Sequence, residues 1–274
     1  MDWREDCFFA FLPAHERKRP ARRNRSSEKN HKLLSLLSMA QTIKRLLFKI
    51  CTSSNPIMVT VTQLLRSPIK AAQLQLLTIR KDKNLIDLIR KVQKEKGFMM
   101  WPDELVFIYN CVLLTTKLPG DFAEVGVCKG VSAKIICEAK GKKLLHLFDT
   151  FEGLPKPGAL DGVLREKQYS APLNATKAYL KKYKNVVFYK GIFPNTSRSI
   201  QKKTFSFVHL DVDLYKSTLE CLKIFYPRME KGGIILSHDY STLKGVRKAF
   251  EKYFSDKKNL IIELATSQCM VIKP

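Results

Sequence analysis

From Asp121 onward, short apolar runs alternate with longer segments in which apolar residues recur at helical spacing. The runs fall at 122–127, 144–148, 186–189, 205–210, 234–236, 260–264 and 270–272, and helical segments lie between most of them, at about 131–139, 174–183, 217–226 and 243–254. This alternation predicts a mostly parallel sheet with helices on both faces, because each crossover between parallel strands needs a covering element. The last two runs are joined only by Ala265-Thr266-Ser267-Gln268. That link is too short for a crossover, so the final strand of a seven-stranded sheet is expected to be antiparallel.

Ahead of this region, Leu85, Ile86, Leu88, Ile89 and Val92 form one helical face that stops at Gly97. Pro102, followed by Asp103 and Glu104, opens another helix to about 116, with proline at the first position and acids near the positive helix end. Farther back, Leu33, Leu36, Leu37, Ala40, Ile43, Leu47 and Ile50 describe an amphipathic helix over 33–50, with Lys44, Arg45 and Lys49 near its end. Residues 16–32 hold almost nothing apolar and read as a solvated basic tail. The expected organisation is a disordered tail over 1–32, a helical extension over 33–100 and an α/β domain over 101–274.

Charge changes this picture in one respect. With 49 Lys and Arg against 25 Asp and Glu, the 274-residue chain carries +24, which raises nucleic acid or an anionic membrane as partners. The lysines are spread along the whole chain, and no aromatic residues interleave the basic stretches, so nucleic acid is not expected. The basic helix over 33–50 is a candidate for weak contact with an anionic membrane; packing on its own domain and contact in a homo-oligomer are the competing roles. Seven cysteines, odd in number and without a C-x-x-C pair, argue against a disulfide framework or a thiolate zinc site and for a reducing compartment. Arg4, Glu5 and Asp6 precede a short Phe8–Leu12 patch with no cleavage signature, and no apolar run suits a spanning helix, so the expected location is cytoplasmic, with peripheral membrane contact as the variation.

The first strand ends in Glu124-Val125-Gly126-Val127-Cys128-Lys129-Gly130, followed by Ser132 on the next helix. Gly126 and Gly130 let the backbone turn tightly and approach a ligand, and the helix start offers free N–H groups to a carboxylate or phosphate. This E-x-G-x-x-x-G spacing fits a nicotinamide dinucleotide poorly. The second strand ends at Asp149, placed to accept hydrogen bonds from ribose hydroxyls. Turn and acid together predict a nucleoside-type cofactor. The fourth strand delivers Asp211 and Asp213, the fifth His238 and Asp239. If these strands are neighbours, Asp211 and Asp239 face one rim pocket, and hard carboxylate oxygens suit a magnesium-like cation. His238 fits either a ligand or a hydrogen-bonded neighbour of one, whereas His146 and His209 read as core or wall residues. Alone, Asp211-Val212-Asp213 also fits a helix cap, or the D-x-D of a metal-dependent glycosyltransferase; the latter leaves the glycine turn and Asp149 unexplained.

In chain order, Gly120-Asp121-Phe122-Ala123-Glu124-Val125-Gly126-Val127, Phe148-Asp149-Thr150-Phe151-Glu152-Gly153-Leu154-Pro155, His209-Leu210-Asp211-Val212-Asp213-Leu214-Tyr215, Gly232-Gly233 with Asp239-Tyr240, and Gly245-Val246-Arg247-Lys248-Ala249 resemble the macrocin O-methyltransferase family. These are class I S-adenosylmethionine-dependent O-methyltransferases, the best known of which methylate sugar hydroxyls in macrolide tailoring. The resemblance covers about 101–274 and implies a Rossmann-like fold. It implies that Glu124, Gly126 and Gly130 surround the methionine part of the cofactor and Asp149 its ribose, with Val127, Ser132, Thr150, Phe151, Gly191 and Asp211 also at the cofactor. It further implies magnesium at Asp211 and at paired acids of the fifth strand, where this chain departs by having His238-Asp239. The expected metal ligands are therefore Asp211, His238 and Asp239, and the expected catalytic residues Asp211, Asp213, Tyr215 and His238. The implied reaction is metal-assisted, in-line methyl transfer to a hydroxyl of a saccharide, glycan or glycosylated natural product, the metal binding and acidifying that hydroxyl, beneath a substrate lid at 156–172. The alternative is a family member that binds the cofactor without turnover and serves as an interaction protein.

Overall fold

The seven apolar runs become the seven strands of one sheet. In the computed structural model, which describes residues 56–79, 81–256 and 260–274, they are β1 (Asp121–Val125), β2 (Leu145–Asp149), β3 (Val186–Lys190), β4 (Phe205–Leu210), β5 (Met229–Ser237), β6 (Ile261–Glu263) and β7 (Cys269–Ile272). The basic tail and the amphipathic helix expected at 33–50 lie outside the described residues. The strand order is β3-β2-β1-β4-β5-β7-β6, with β1 to β5 parallel and β7 antiparallel to both its neighbours. Strand β4 is buried at every position, as a central parallel strand covered on both faces must be. Strand β5 is longer than its apolar run because Gly232-Gly233 forms part of it, at an irregularity in its pairing with β4 between Phe205 and Phe207.

The described helices are α1 (Pro56–Thr78), α2 (Lys83–Lys96), α3 (Pro102–Thr115), α4 (Val131–Ala139), α5 (Leu173–Leu180), α6 (Tyr215–Phe225) and α7 (Lys244–Tyr253). The periodicity does not announce α1, which starts at Pro56 and carries Pro68 in its interior. Helix α2 begins where Asp82 Oδ1 accepts the N–H groups of Asn84 and Leu85, at 2.8 and 3.2 Å. One core layer joins Ile86 and Ile89 of α2, Leu105 and Ile108 of α3 and Ile135 of α4 to Phe122, Leu147 and Phe207 of the sheet. On the opposite face, Leu222 and Phe225 of α6 and Val246 and Phe250 of α7 pack on Ala123, Phe148, Val208 and Ile235. Successive strand residues divide between the layers, Phe122 to one and Ala123 to the other, as the two-residue strand period requires. Each fully buried phenylalanine contributes about 1.5–3 kcal/mol of transfer free energy. Among the described residues, no helix is long and apolar enough to cross a membrane.

Candidate active site

Strand β1 pairs with β2 on one side and β4 on the other, so the chain departs in opposite directions from adjacent strand ends. Such a switch point opens a crevice at the carboxyl edge of the sheet. A cavity of about 560 Å³ lies there, with walls that include Gly126, Asp149, Asp211 and His238 from the ends of β1, β2, β4 and β5.

The backbone shapes this edge before any side chain does. Gly126 has a φ of +90°, and a Cβ there would sit 1.9 Å from the carbonyl oxygen of Asp211. Only glycine allows so close an approach. The Asp211 N–H donates to the carbonyl of Val125 at 2.9 Å, so the tips of β1 and β4 are held together. Asp149 secures the other side. Its Oδ2 accepts the N–H groups of Val127 and Cys128, both at 2.7 Å, and its Oδ1 accepts that of Phe151 at 2.6 Å. The carboxylate therefore first fixes the glycine turn, while Oδ1 retains capacity for a further donor from a ligand.

Opposite this turn lies a cluster of carboxylates around one histidine. His238 Nδ1 is 2.9 Å from Asp239 Oδ2 and 3.2 Å from Asp211 Oδ1, and Nε2 is 3.2 Å from Glu104 Oε2. Burial alone would lower the pKa of His238, but the charges of Asp239, Asp211 and Glu104 raise it well above the ordinary imidazole range. Burial also works against ionised Asp239, yet His238 and the hydrogen bond from Thr242, 2.6 Å from Oδ1, hold it below the usual range. Asp213 is half-buried by surface area but ringed by protein atoms. Burial, then the charges of Asp211 and Asp239, push its pKa well above the usual carboxylate range. Asp213 and Asp239 both adopt left-handed backbone, with φ of 57° and 58°, a strained geometry often found at functional sites.

Glu104 gives this cluster its floor. It is buried in the first turn of α3, where Oε2 also accepts the N–H of Trp101 at 2.8 Å and Oε1 accepts the Ser267 hydroxyl at 2.7 Å. In the sequence it reads only as an acid at a helix start, because its contacts with His238 and Ser267 join residues 134 and 163 positions apart. Tyr169, from the segment after β2, closes another wall; burial and the charges of Asp213, Asp239 and Asp211 push its hydroxyl up to about 12.

Of the expected site residues, Gly126, Asp149, Thr150, Gly191, Asp211, Asp213, His238 and Asp239 line the cavity. Glu124, Val127, Gly130, Ser132, Phe151 and Tyr215 are not among its lining residues. Glu124 is fully buried, with Oε1 2.8 Å from His209 Nδ1, and burial, partly offset by His209, raises its pKa. Val127 and Phe151 contribute backbone N–H groups to Asp149, and Gly130, with a φ of +80°, makes the turn into α4. Tyr215 offers its backbone N–H to Asp161 at 2.7 Å.

The three expected metal ligands come together, each offering an atom within 4.8 Å of the others. Their donor set nevertheless fits magnesium poorly. Imidazole nitrogen is a soft choice for that ion, and both ring nitrogens already face carboxylates, so neither presents a free lone pair. The glycine turn, the spare capacity of Asp149 Oδ1 and the size of the cavity do fit a nucleoside cofactor.

The sequence pattern of the macrocin-O-methyltransferase (TylF) family matches residues 105–267. A curated relative, the 8-demethyl-8-(2,3-dimethoxy-alpha-L-rhamnosyl)-tetracenomycin-C 4'-O-methyltransferase of Streptomyces olivaceus, is 29% identical over 168 residues, which are 55% of this chain and 64% of the relative. The chain thus spans less than two thirds of that relative's length. Among solved structures, the O-methyltransferase NovP superposes with a TM-score of 0.57 at 22% identity, covering 64% of this chain and 81% of NovP. The calicheamicin methyltransferase CalS11 gives 0.58 at 17% identity, covering 80% and 94%. The two structures share the fold, a Rossmann-like class I methyltransferase sheet. The family match, spanning the glycine turn, Asp149, Asp211 and Asp239, shows that the chain belongs to the macrocin-O-methyltransferase family.

Proposed function

We propose that this protein is an S-adenosylmethionine-dependent O-methyltransferase whose acceptor is a hydroxyl of a saccharide, a glycan or a glycosylated natural product. One observation carries the reading: the Gly126 turn and Asp211 meet at adjacent strand tips and line the same cavity, which sets a cofactor cradle beside an acid. Bound there, S-adenosylmethionine supplies an electrophilic methyl group on a sulfonium. Gly126 gives its adenosyl and methionine parts room against the backbone, and Asp149 Oδ1 and Gly191 border the ribose side. The acceptor enters between Asp211 and the wall formed by Trp101, Tyr169 and Ser267. Asp211 would take the hydroxyl proton as the new C–O bond forms and the sulfur–methyl bond breaks, leaving a neutral methyl ether, a protonated carboxyl and the thioether S-adenosylhomocysteine. Positioning the acceptor supplies much of the rate, since a held hydroxyl replaces a bimolecular encounter. Support for the acceptor class comes from the relatives, one of which is named as acting on a rhamnosyl-bearing tetracenomycin.

Magnesium enters no step of this reading, because His238 takes up the space and the carboxylates that the ion would use. The test is Asp211→Asn, which keeps the shape of the site and removes the base. Calorimetry should show S-adenosylmethionine binding within about threefold of wild type, while methyl incorporation from labelled cofactor into extract glycans falls by about 10²–10⁴-fold. Undiminished incorporation would remove Asp211 from the reaction, and loss of cofactor binding in the wild-type protein would remove the whole reading.

A further inference from the structure

The resemblance implies paired acids at the end of the fifth strand, where this chain has His238-Asp239, and the structure shows how the histidine sits there. The imidazole of His238 does not point away as a spectator. It lies between Asp211 at the end of β4 and Asp239 at the end of β5, with its far nitrogen on Glu104 of α3, so all three carboxylates converge on one ring. An ionised carboxylate only accepts hydrogen bonds, so contacts through Nδ1 and Nε2 together require an N–H on each. Glu104 is itself fixed by Trp101 and Ser267, which leaves it no freedom to release the ring.

We propose that His238, held from behind by Glu104, is a built-in cation that bridges Asp211 and Asp239, and that the pocket in consequence takes no divalent metal ion. The proposal combines two facts of placement. A metal at Asp211 and Asp239 would have to share their oxygens Oδ1 and Oδ2 with the one Nδ1–H, 3.2 and 2.9 Å away, and it would meet the cationic ring at close range. The ring also supplies what an ion would otherwise give, a bridge that keeps two carboxylates close. Glu104 and His238 are thus positioning residues, acting through Asp211. Only the catalytic consequence rests on the methyltransferase reading; the exclusion of metal does not.

Electron paramagnetic resonance of Mn²⁺ tests it without any methyl transfer. Manganese, a hard cation that carboxylate oxygens hold as they do magnesium, is titrated with wild-type protein, with His238→Asp, which restores the paired acids, and with His238→Asn, which removes the cation and keeps a small polar side chain. The wild-type protein should leave the free Mn²⁺ signal undiminished, whereas His238→Asp should deplete it with an affinity at least about tenfold higher, as expected when a carboxylate joins an oxygen site. His238→Asn should fall between them. Stoichiometric Mn²⁺ binding by wild type overturns the proposal, whatever the variants do. Absence of binding in wild type and in both variants, each shown folded by circular dichroism, also overturns it, because His238 would then not be what excludes the ion. If one variant does not fold, the other still decides.

Discussion

At the scale of single residues, the site depends on positions whose importance lies in backbone geometry rather than in a functional group. Gly126 is the sharpest case. A methyl group there would lie 1.9 Å from the Asp211 carbonyl and 2.6 Å from its carbonyl carbon, and the φ of +90° disfavours any side chain. Gly126→Ala should therefore part the tips of β1 and β4, lowering unfolding free energy by about 1–3 kcal/mol from the dihedral alone. Urea unfolding measures that loss, and calorimetry with S-adenosylmethionine should show binding weakened by more than the stability change explains. Unaltered binding would mean that the turn does not cradle the cofactor. The motif was legible in the sequence because glycine has few reasons to recur beside a strand end. Glu124, two residues before it, was legible as part of the same motif but not in its surroundings. Its hydrogen bond with His209 depends on which residues β1 and β4 set side by side, and that register appears only in the folded sheet.

Among elements, the segment between β2 and α5 carries the most consequence. The expectation of a lid at 156–172 rested on its length, and the structure adds how it is fastened. Asp161 is buried, with Oδ2 accepting the N–H of Gly158 and Oδ1 accepting that of Tyr215 in the first turn of α6, both at 2.7 Å. An anion there also meets the positive end of the helix. Gly245 in the first turn of α7 leaves room for it, since a Cβ at that position would come within 2.5 Å of Asp161 Oδ1. The glycine of the Gly245-Val246-Arg247 motif thus has a packing reason that no local pattern reveals. Asp161→Ala should cost about 1–3 kcal/mol of local stability and loosen the segment without unfolding the sheet. Trypsin should then cut after Arg165 or Lys167 several-fold faster than in wild type, while the main unfolding midpoint moves little. Cleavage that merely followed the global midpoint would show that Asp161 fastens nothing locally. Strands and most helices were legible because their periods are local, whereas α1 was not: two prolines, Pro56 and Pro68, fall within it, and Thr60 and Thr62 break the apolar pattern near its start.

For the molecule as a whole, the charge of +24 is the property that the proposed chemistry does not use. Among the described residues, the ion pairs leave most lysines without an acidic partner at hand, and pairs such as Lys190 with Glu152 and Lys248 with Glu251 are exposed. Exposed pairs contribute only about 0–1 kcal/mol each, so repulsion among the remaining cations is not offset locally. Self-repulsion of this kind destabilises the compact state and is long in range when salt is low. Raising ionic strength from about 10 mM to about 150 mM shortens the screening length from about 30 Å to about 8 Å, so the thermal midpoint should rise with sodium chloride over that interval. The sign distinguishes two origins of the charge. If the cations are a solvated surface with no built-in partner, sodium chloride stabilises. If they are compensated by networks of ion pairs, the same salt weakens those pairs and the midpoint falls. A rise that vanishes when short anionic oligonucleotides are added at low salt would show that a bound polyanion can replace the screening. Nonspecific binding of that kind should itself disappear steeply with salt, which separates general basicity from a dedicated nucleic-acid site.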